Sequence, residues 1–378
     1  MSLNKNRMLF AAAGVSGGSL RGPYTVFAIG KNWPWRLGTG NATSYSSPVQ
    51  IGAVTEWLKL ASGGACNNAV KTDGTLWAWG DNGDNGEMGT GNTTDYDSPI
   101  QVGSDTDWVD VGHSNGANYG GFGMGLKSDG VLWAWGRNAF SGFGNGNTTS
   151  SLSPVVTLAT GIVSFDVGHW ATSAWKADGS LWVWGWNGDG LLGINSTTAA
   201  NSPVQVGATG DWIKASMGKS MSAFVKNDYT LWTTGDANQG KRGSNDAIDR
   251  SSPHQVGALT DWADVRCGYW NSIALKTDGT LWSWGRGAEG INGINSVIDI
   301  SSPTQVGALT DWAYLGHSVG RKQWHVIKTD GTLWSWGLNT SGQLGDGTII
   351  SRSSPVQIGA LTDWKSSTGG DEHSIIMK

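Results

Sequence analysis

Apolar positions along this chain alternate with a period of two over short runs and nowhere settle into a sustained period of 3.6 residues. The clearest run is Ser272-Ile273-Ala274-Leu275-Lys276, followed by Thr277-Asp278-Gly279 and then Thr280-Leu281-Trp282-Ser283-Trp284-Gly285. Two alternating runs around an Asp-Gly predict an antiparallel hairpin, because Gly takes positive φ readily. Trp282 and Trp284 lie two apart and share one face of their strand, while Leu281 and Ser283 share the other. The same hairpin recurs at 71–80, 127–136, 176–185 and 328–337. It returns in altered form at 226–235, where Tyr229 replaces the Gly and Thr234 the second Trp.

The segments between hairpins complete the unit. Gly337-Leu338-Asn339-Thr340-Ser341-Gly342-Gln343-Leu344-Gly345 is too rich in Gly for a helix and predicts a turn-containing connector. A Ser-Pro-Val-Gln-Val-Gly type run adds a short strand whose proline suits a strand start. A further strand follows each Asp-Trp pair, as at Asp261-Trp262-Ala263-Asp264-Val265. The prolines Pro48, Pro99, Pro154, Pro203, Pro253, Pro303 and Pro355 are spaced by 51, 55, 49, 50, 50 and 52 residues. A fixed period of this size means one supersecondary unit repeated, and about four strands per unit is the size of a propeller blade.

Six Trp hairpins stand against seven prolines. The chain ends at His373-Ser374-Ile375-Ile376-Met377-Lys378, the first half of a hairpin, and Pro23 to Asn32 reads as the missing second half. The expectation is an all-β fold over residues 23–378: one seven-bladed β-propeller of about four antiparallel strands per blade. Pairing of the N- and C-terminal strands would close it and remove the exposed edges of an open array.

These residues resemble the regulator-of-chromosome-condensation repeat, whose pattern joins Asp-Gly-x-x-Trp-x-Trp-Gly-x-Asn to Gly-Gln-Leu-Gly and a following proline. Gly337-Leu338-Asn339 with Gly342-Gln343-Leu344-Gly345 follows it closely, and Gly370-Asp371-Glu372-His373-Ser374 matches the Gly-x-x-His-Ser that leads into its hairpin. The resemblance covers roughly residues 23–378 and implies a seven-bladed propeller. It leaves function open, because related propellers include a nucleotide-exchange factor for a small GTPase, a plant ultraviolet photoreceptor and a secreted β-lactamase inhibitor.

Composition narrows the functional classes. Charged residues make up 15% and the net charge is −5, with no basic run to track phosphates, so nucleic acid is not the expected partner. No apolar run is long enough to span a membrane. Cys66 and Cys267 fall at non-equivalent repeat positions, and no zinc-ligand spacing occurs, so neither a disulfide nor a metal is expected. Residues 1–22 stand outside the repeat: a polar start, the apolar Met8-Leu9-Phe10-Ala11-Ala12-Ala13, then a Gly/Ser-rich stretch. The apolar core is short for a secretory signal, and the expectation is an arm that docks on a partner.

Seventeen of the 24 tryptophans recur once or twice per repeat and are expected in the core. Trp33, Trp35, Trp170, Trp175, Trp186, Trp270 and Trp324 break the pattern. Trp170 and Trp270 occupy the same repeat position, in the loop before the hairpin. There the preceding residue varies freely as Gly64, His169, Lys219, Tyr269 and Asp371. Two copies are lengthened, from His113 to Gly121 and from His317 to Gln323. Equivalent loops of a closed ring lie on one face, and variable polar and aromatic residues on a rigid rim suit recognition. The candidate binding residues are therefore His113, Asn115, Tyr119, His169, Trp170, Lys219, Tyr269, Trp270, His317, Arg321, Lys322 and Asp371.

Catalytic look-alikes fail on context. Gly112-His113-Ser114-Asn115-Gly116 fits G-x-S-x-G but no helix follows. Gly235 to Lys241 approaches a phosphate loop, yet Arg242 stands where a hydroxyl is needed. Asp81 to Glu87 hints at a calcium loop, but its twelfth position is Asn92. The expectation is a non-enzymatic binding or structural protein without cofactor, presenting its loop rim to a protein assembly or surface glycan. A capsid decoration or tail-tip adhesin on a bacteriophage virion is one such setting. The alternatives are GTPase nucleotide exchange, a glycan-binding lectin, or ultraviolet sensing, for which the Gly-Trp-Arg-His-Thr run is missing.

Overall fold

Each repeat folds as four antiparallel strands, and seven such blades surround one axis; the sheet of the seventh also takes in His317–Ser318, which pairs parallel with Ser366–Gly369. The computed structural model describes residues 22–116, 120–208, 210–318 and 322–378. The arm expected at 1–22 falls, except for Gly22, outside the described residues. Blade 1 comprises Trp57–Ser62, Cys66–Lys71, Leu76–Gly80 and Tyr96–Gln101, in that order from the axis outward. Blades 2 to 6 repeat it, their innermost strands beginning at Trp108, Ile162, Trp212, Trp262 and Trp312. Helix is confined, among the described residues, to two three-residue 3-10 turns in the connectors of blades 4 and 5.

Blade 7 is built from both ends of the chain. Ser366–Gly369 and His373–Met377 supply its inner half, and Val26–Gly30 and Tyr45–Gln50 its outer half. The seam runs from Val26 opposite Met377 to Gly30 opposite His373. Reciprocal bonds of 2.9 Å between Thr25 and Lys378 extend it. Ile375, Ile376 and Met377 are almost wholly buried there, so the closure expected from the half-hairpins is present.

Within a blade the turn is held by a side-chain relay. Gly279 sits at φ +79, and Asp278 Oδ1 accepts bonds from the Thr280 amide at 2.9 Å and the Thr280 hydroxyl at 2.7 Å. That hydroxyl in turn accepts the Trp282 Nε1–H at 2.8 Å. The relay recurs through Asp73, Asp178, Asp228 and Asp330. Bonds from the neighbouring hydroxyl hold the carboxyls of Asp73, Asp178, Asp278 and Asp330 below the usual carboxylate range. The Lys that opens each turn places its ammonium 3.8–4.7 Å from the centroid of that same Trp, a cation–π contact.

Between blades, the second Trp of the hairpin reaches back. Trp135, Trp184, Trp284 and Trp336 are fully buried and donate Nε1–H to Glu87, Gly142, Lys241 and Ile291 carbonyls of the preceding connector at 2.8–3.1 Å. Gly89, Gly144, Gly243 and Gly293 allow that approach: a Cβ on any of them would lie within 2.9 Å of the ring. Thr234, which replaces this Trp in blade 4, keeps the bond by donating to the Leu191 carbonyl at 2.8 Å.

Candidate binding face

Strand direction decides what faces where. The loop from first to second strand and the long connector from third to fourth strand emerge on the same face of every blade, and the Asp-Gly turns on the other. The connector is pinned by one buried Asn: Asn82 Oδ1 accepts the Met88 amide at 2.9 Å while its amide nitrogen donates to the Asn92 carbonyl at 2.7 Å. Asn32, Asn138, Asn187 and Asn339 repeat this.

On that rigid face a row of rings spans blades 2 to 5. Trp186 meets Phe140 with centroids 5.8 Å apart, and Phe140 meets Trp170 at 4.6 Å. The row continues from Trp170 to His169 at 4.3 Å, from His169 to Tyr269 at 5.1 Å, and from Tyr269 to Trp270 at 4.3 Å. Blade 4 contributes no ring here. Its Lys219 instead lies 4.3 Å from the Tyr269 centroid and 6.0 Å from that of Trp170. Arg286 covers Trp270 at 4.4 Å, and Lys322 sits 5.9 Å from the same ring while pairing with Glu289 at 2.7 Å. Trp170, Tyr269, Trp270, Lys219 and Arg286 are half-buried, which leaves part of each at the surface.

The structure therefore gathers His169, Trp170, Lys219, Tyr269, Trp270 and Lys322 into one arc. It separates the other candidates. Asn115 bonds Asp371 across to blade 7, Nδ2 to Oδ1 at 2.6 Å, and is itself buried. His113 is the last residue of its strand rather than a loop residue, so it is buried between blades. Its Nε2 lies 3.2 Å from Cys66 Sγ and 3.1 Å from the Glu87 carbonyl. This pair is not an activated nucleophile: burial pushes the Cys66 thiol well above its ordinary range and His113 below its own. His317 turns to the axis, its Nε2 3.0 Å from Asp166 Oδ1. Tyr119 and Arg321 lie outside the described residues. Phe140, Trp186 and Arg286 complete the arc, but they come from connectors rather than from the hairpin loops that the sequence singles out.

The axis is lined by charge. Counting two residues on from the Trp that opens the inner strand gives Lys59, Asp110, Lys214 and Asp264, and counting four gives Arg266. Lys59 pairs with Asp110 at 3.8 Å, and Asp264 with Lys214 at 3.4 Å and Arg266 at 3.2 Å. Burial pushes the Asp110 carboxyl up and the Lys214 ammonium down. Asp166 is held low by His317 and Arg266 against its own burial.

With this geometry in view, the similarities to known proteins take on meaning. The family profile described as "Regulator of chromosome condensation (RCC1) repeat" matches residues 73–115, 178–225 and 330–377, and a second RCC1 repeat profile matches 262–291. The chain is an RCC1-repeat propeller. Regulator of chromosome condensation from Xenopus laevis is 38% identical over 78 residues, 20% of this chain and 18% of that protein. Ultraviolet-B receptor UVR8 from Arabidopsis thaliana is 29% identical over 140 residues, 34% of this chain and 30% of that protein. The chain thus spans less than a third of the length of either relative. Prp20p from Saccharomyces cerevisiae superposes with a TM-score of 0.81 at 17% identity, covering 95% of this chain and 92% of that one, which establishes the shared fold. The relatives include a regulator of chromosome condensation and an ultraviolet-B receptor, which points to a binding or signalling propeller. Nothing in these similarities supports a virion setting.

Proposed function

We propose that this RCC1-repeat propeller is a binding protein that engages a protein partner through its loop face, anchored by the arc from Trp186 to Trp270. The unbroken row of ring contacts, bordered by Lys219 and Arg286, carries this reading. Half-buried Trp and Tyr with neighbouring cations are the residue types in which interface energy concentrates. Rings held by ring and cation contacts lose little freedom on binding. The cations favour a partner surface that sets carboxylates beside apolar groups. Prp20p, which shares the fold, has been characterised for binding to Gsp1p and histones, and a protein partner here is consistent with that.

The test is affinity purification of the wild-type chain from its native source beside Trp170→Ala, Tyr269→Ala and Trp270→Ala variants of matched thermal stability. A partner captured by wild type should be lost from the variants, with at least one substitution weakening the purified complex by about 2 kcal/mol or more. A partner retained equally by all three variants would discard the arc as the anchor. Retention of glycans instead of protein, again dependent on these rings, would replace the protein by a sugar.

A further inference from the structure

Away from the aromatic arc, between blades 1 and 2, the loop face holds a cavity of about 270 Å3. Asp81, Asn85 and Glu87 line it from the blade 1 connector, and His113, Gly121 and Arg137 from blade 2. Glu87 is only 4% exposed. Its Oε1 accepts a bond from Asn85 Nδ2 at 3.3 Å, but its Oε2 is buried without a hydrogen-bond partner. Buried carboxylate oxygens are almost always satisfied, and this orphan belongs to a side chain that lines the cavity, so the carboxylate calls for a donor. Two glycines at positive φ keep the space open. A Cβ on Gly83 would lie 2.5 Å from Glu87 Oε2, and one on Gly120 2.5 Å from Oε1.

The charges around this cavity favour a cation. Asp81 and Asp84 line it from the connector that carries Glu87, and Arg137 is the cation contributed by blade 2. Cys66 and His113 also line it and stay neutral, since burial raises the thiol and lowers the imidazole. Burial, with Asp81 adding to it, pushes the Glu87 carboxyl up to about 7, so a bound cation would draw its proton off near neutrality. Among the described residues no group of three or more His, Cys, Asp or Glu is placed to hold a metal ion. The volume suits a side-chain head with a few methylenes and falls below the usual 300–1,000 Å3 range of small-molecule sites.

We propose that this cavity binds an ammonium or guanidinium group, with the Glu87 carboxylate as the principal acceptor and Asp81 and Asp84 adding field. The cationic group comes either from a free amine or from a basic side chain of the partner. The site stands apart from the aromatic arc, and neither reading depends on the other.

Calorimetry on the full chain at pH 6 in two buffers of different ionisation enthalpy tests this. The probes are n-butylammonium, n-propylguanidinium and the blocked tripeptides Gly-Lys-Gly and Gly-Arg-Gly, with 1-butanol as the neutral control. The expected result is saturable binding of cationic probes with proton release, no binding of 1-butanol, and at least tenfold weakening by Glu87→Gln. Trp270→Ala should leave it unchanged. Tighter binding of the tripeptides assigns the site to a partner's side chain, and equal or tighter binding of the simple cations assigns it to a free amine. Undiminished binding to Glu87→Gln, equal binding of 1-butanol, displacement of the amine by calcium ion, or no binding by 50 mM would each overturn the proposal. Amide shifts in the wild-type protein guard against a misfolded variant: they should centre on Cys66 and Gly121, and shifts confined elsewhere also overturn it.

Discussion

A single residue, Val131, exposes what the Asp-Thr-Trp relay does. Blade 2 keeps the turn, with Asp129 Oδ1 accepting the Val131 amide at 2.9 Å. Lacking a hydroxyl at 131, it leaves Trp133 Nε1 buried without a partner. Val131→Thr should restore the relay and raise stability by about 1 kcal/mol, read from chemical denaturation, because an unmade buried bond is costlier than a made one is favourable. Glu87 sets a second expectation at this scale. Its folded carboxyl titrates at about 7 against a reference of 4.5. The folded protein therefore holds this proton more tightly, and the stability it contributes is full below pH 4.5 and lost as pH rises through 7, by about 3 kcal/mol. Glu87→Gln should be free of that slope between pH 5 and 8. Burial lowers His325 to about 4 and His373 to about 3, so their contribution is full above pH 6.5 and lost as pH falls towards those values. Between about pH 4.5 and 6.5 the two histidines oppose Glu87, so denaturation midpoints followed from pH 4 to 8 should rise with pH over that window, and rise more steeply in the Glu87→Gln variant.

Elements are joined by the indole that reaches back one blade. Trp184→Ala should cost about 3–5 kcal/mol, since it removes a fully buried ring and its bond to Gly142 together. Trp184→Thr, which copies the Thr234 arrangement of blade 4, should recover part of that loss in a thermal melt. This architecture was legible because a two-residue alternation around Asp-Gly, repeated at constant spacing, fixes strand, turn and register at once. The pinning Asn and the following Gly were visible as motif letters, but their reach across blades was not, since that depends on blade packing. The arc was half legible. His169, Trp170, Lys219, Tyr269 and Trp270 stood out at two adjacent repeat positions, whereas Phe140 and Arg286 sit in connectors whose path only the fold reveals. His113 misled because its strand runs one residue further than the loop pattern suggested. The axial charges escaped for a different reason. Lys59, Asp110, Lys214 and Asp264 share a register, but each inner strand alone reads as a half-polar strand with a solvated face.

Across the whole molecule, the seam between Val26–Gly30 and His373–Met377 makes a ring of what would otherwise be a stack. Deleting residues 374–378 removes three buried apolar side chains and leaves the edge of Val26–Gly30 unpaired. The truncated chain should melt more than 10 °C below wild type, well beyond the few degrees of a point change in a protein this large. An unchanged melting temperature would show that the seam contributes little. Along the axis, Lys59–Asp110 and Lys214–Asp264 tie neighbouring blades together, and His317–Asp166 ties blade 6 to blade 3.

The same seam sets a clock on biosynthesis. Some 343 residues separate Gly30 from its mate His373, so at ribosomal speeds of about 5–20 residues per second the first strand waits roughly 20–70 s for its neighbour. Through that interval the edge of Val26–Gly30 that later meets His373–Met377 is open to any passing strand, and the nascent ring stays vulnerable to chaperone capture or mispairing until His373 emerges.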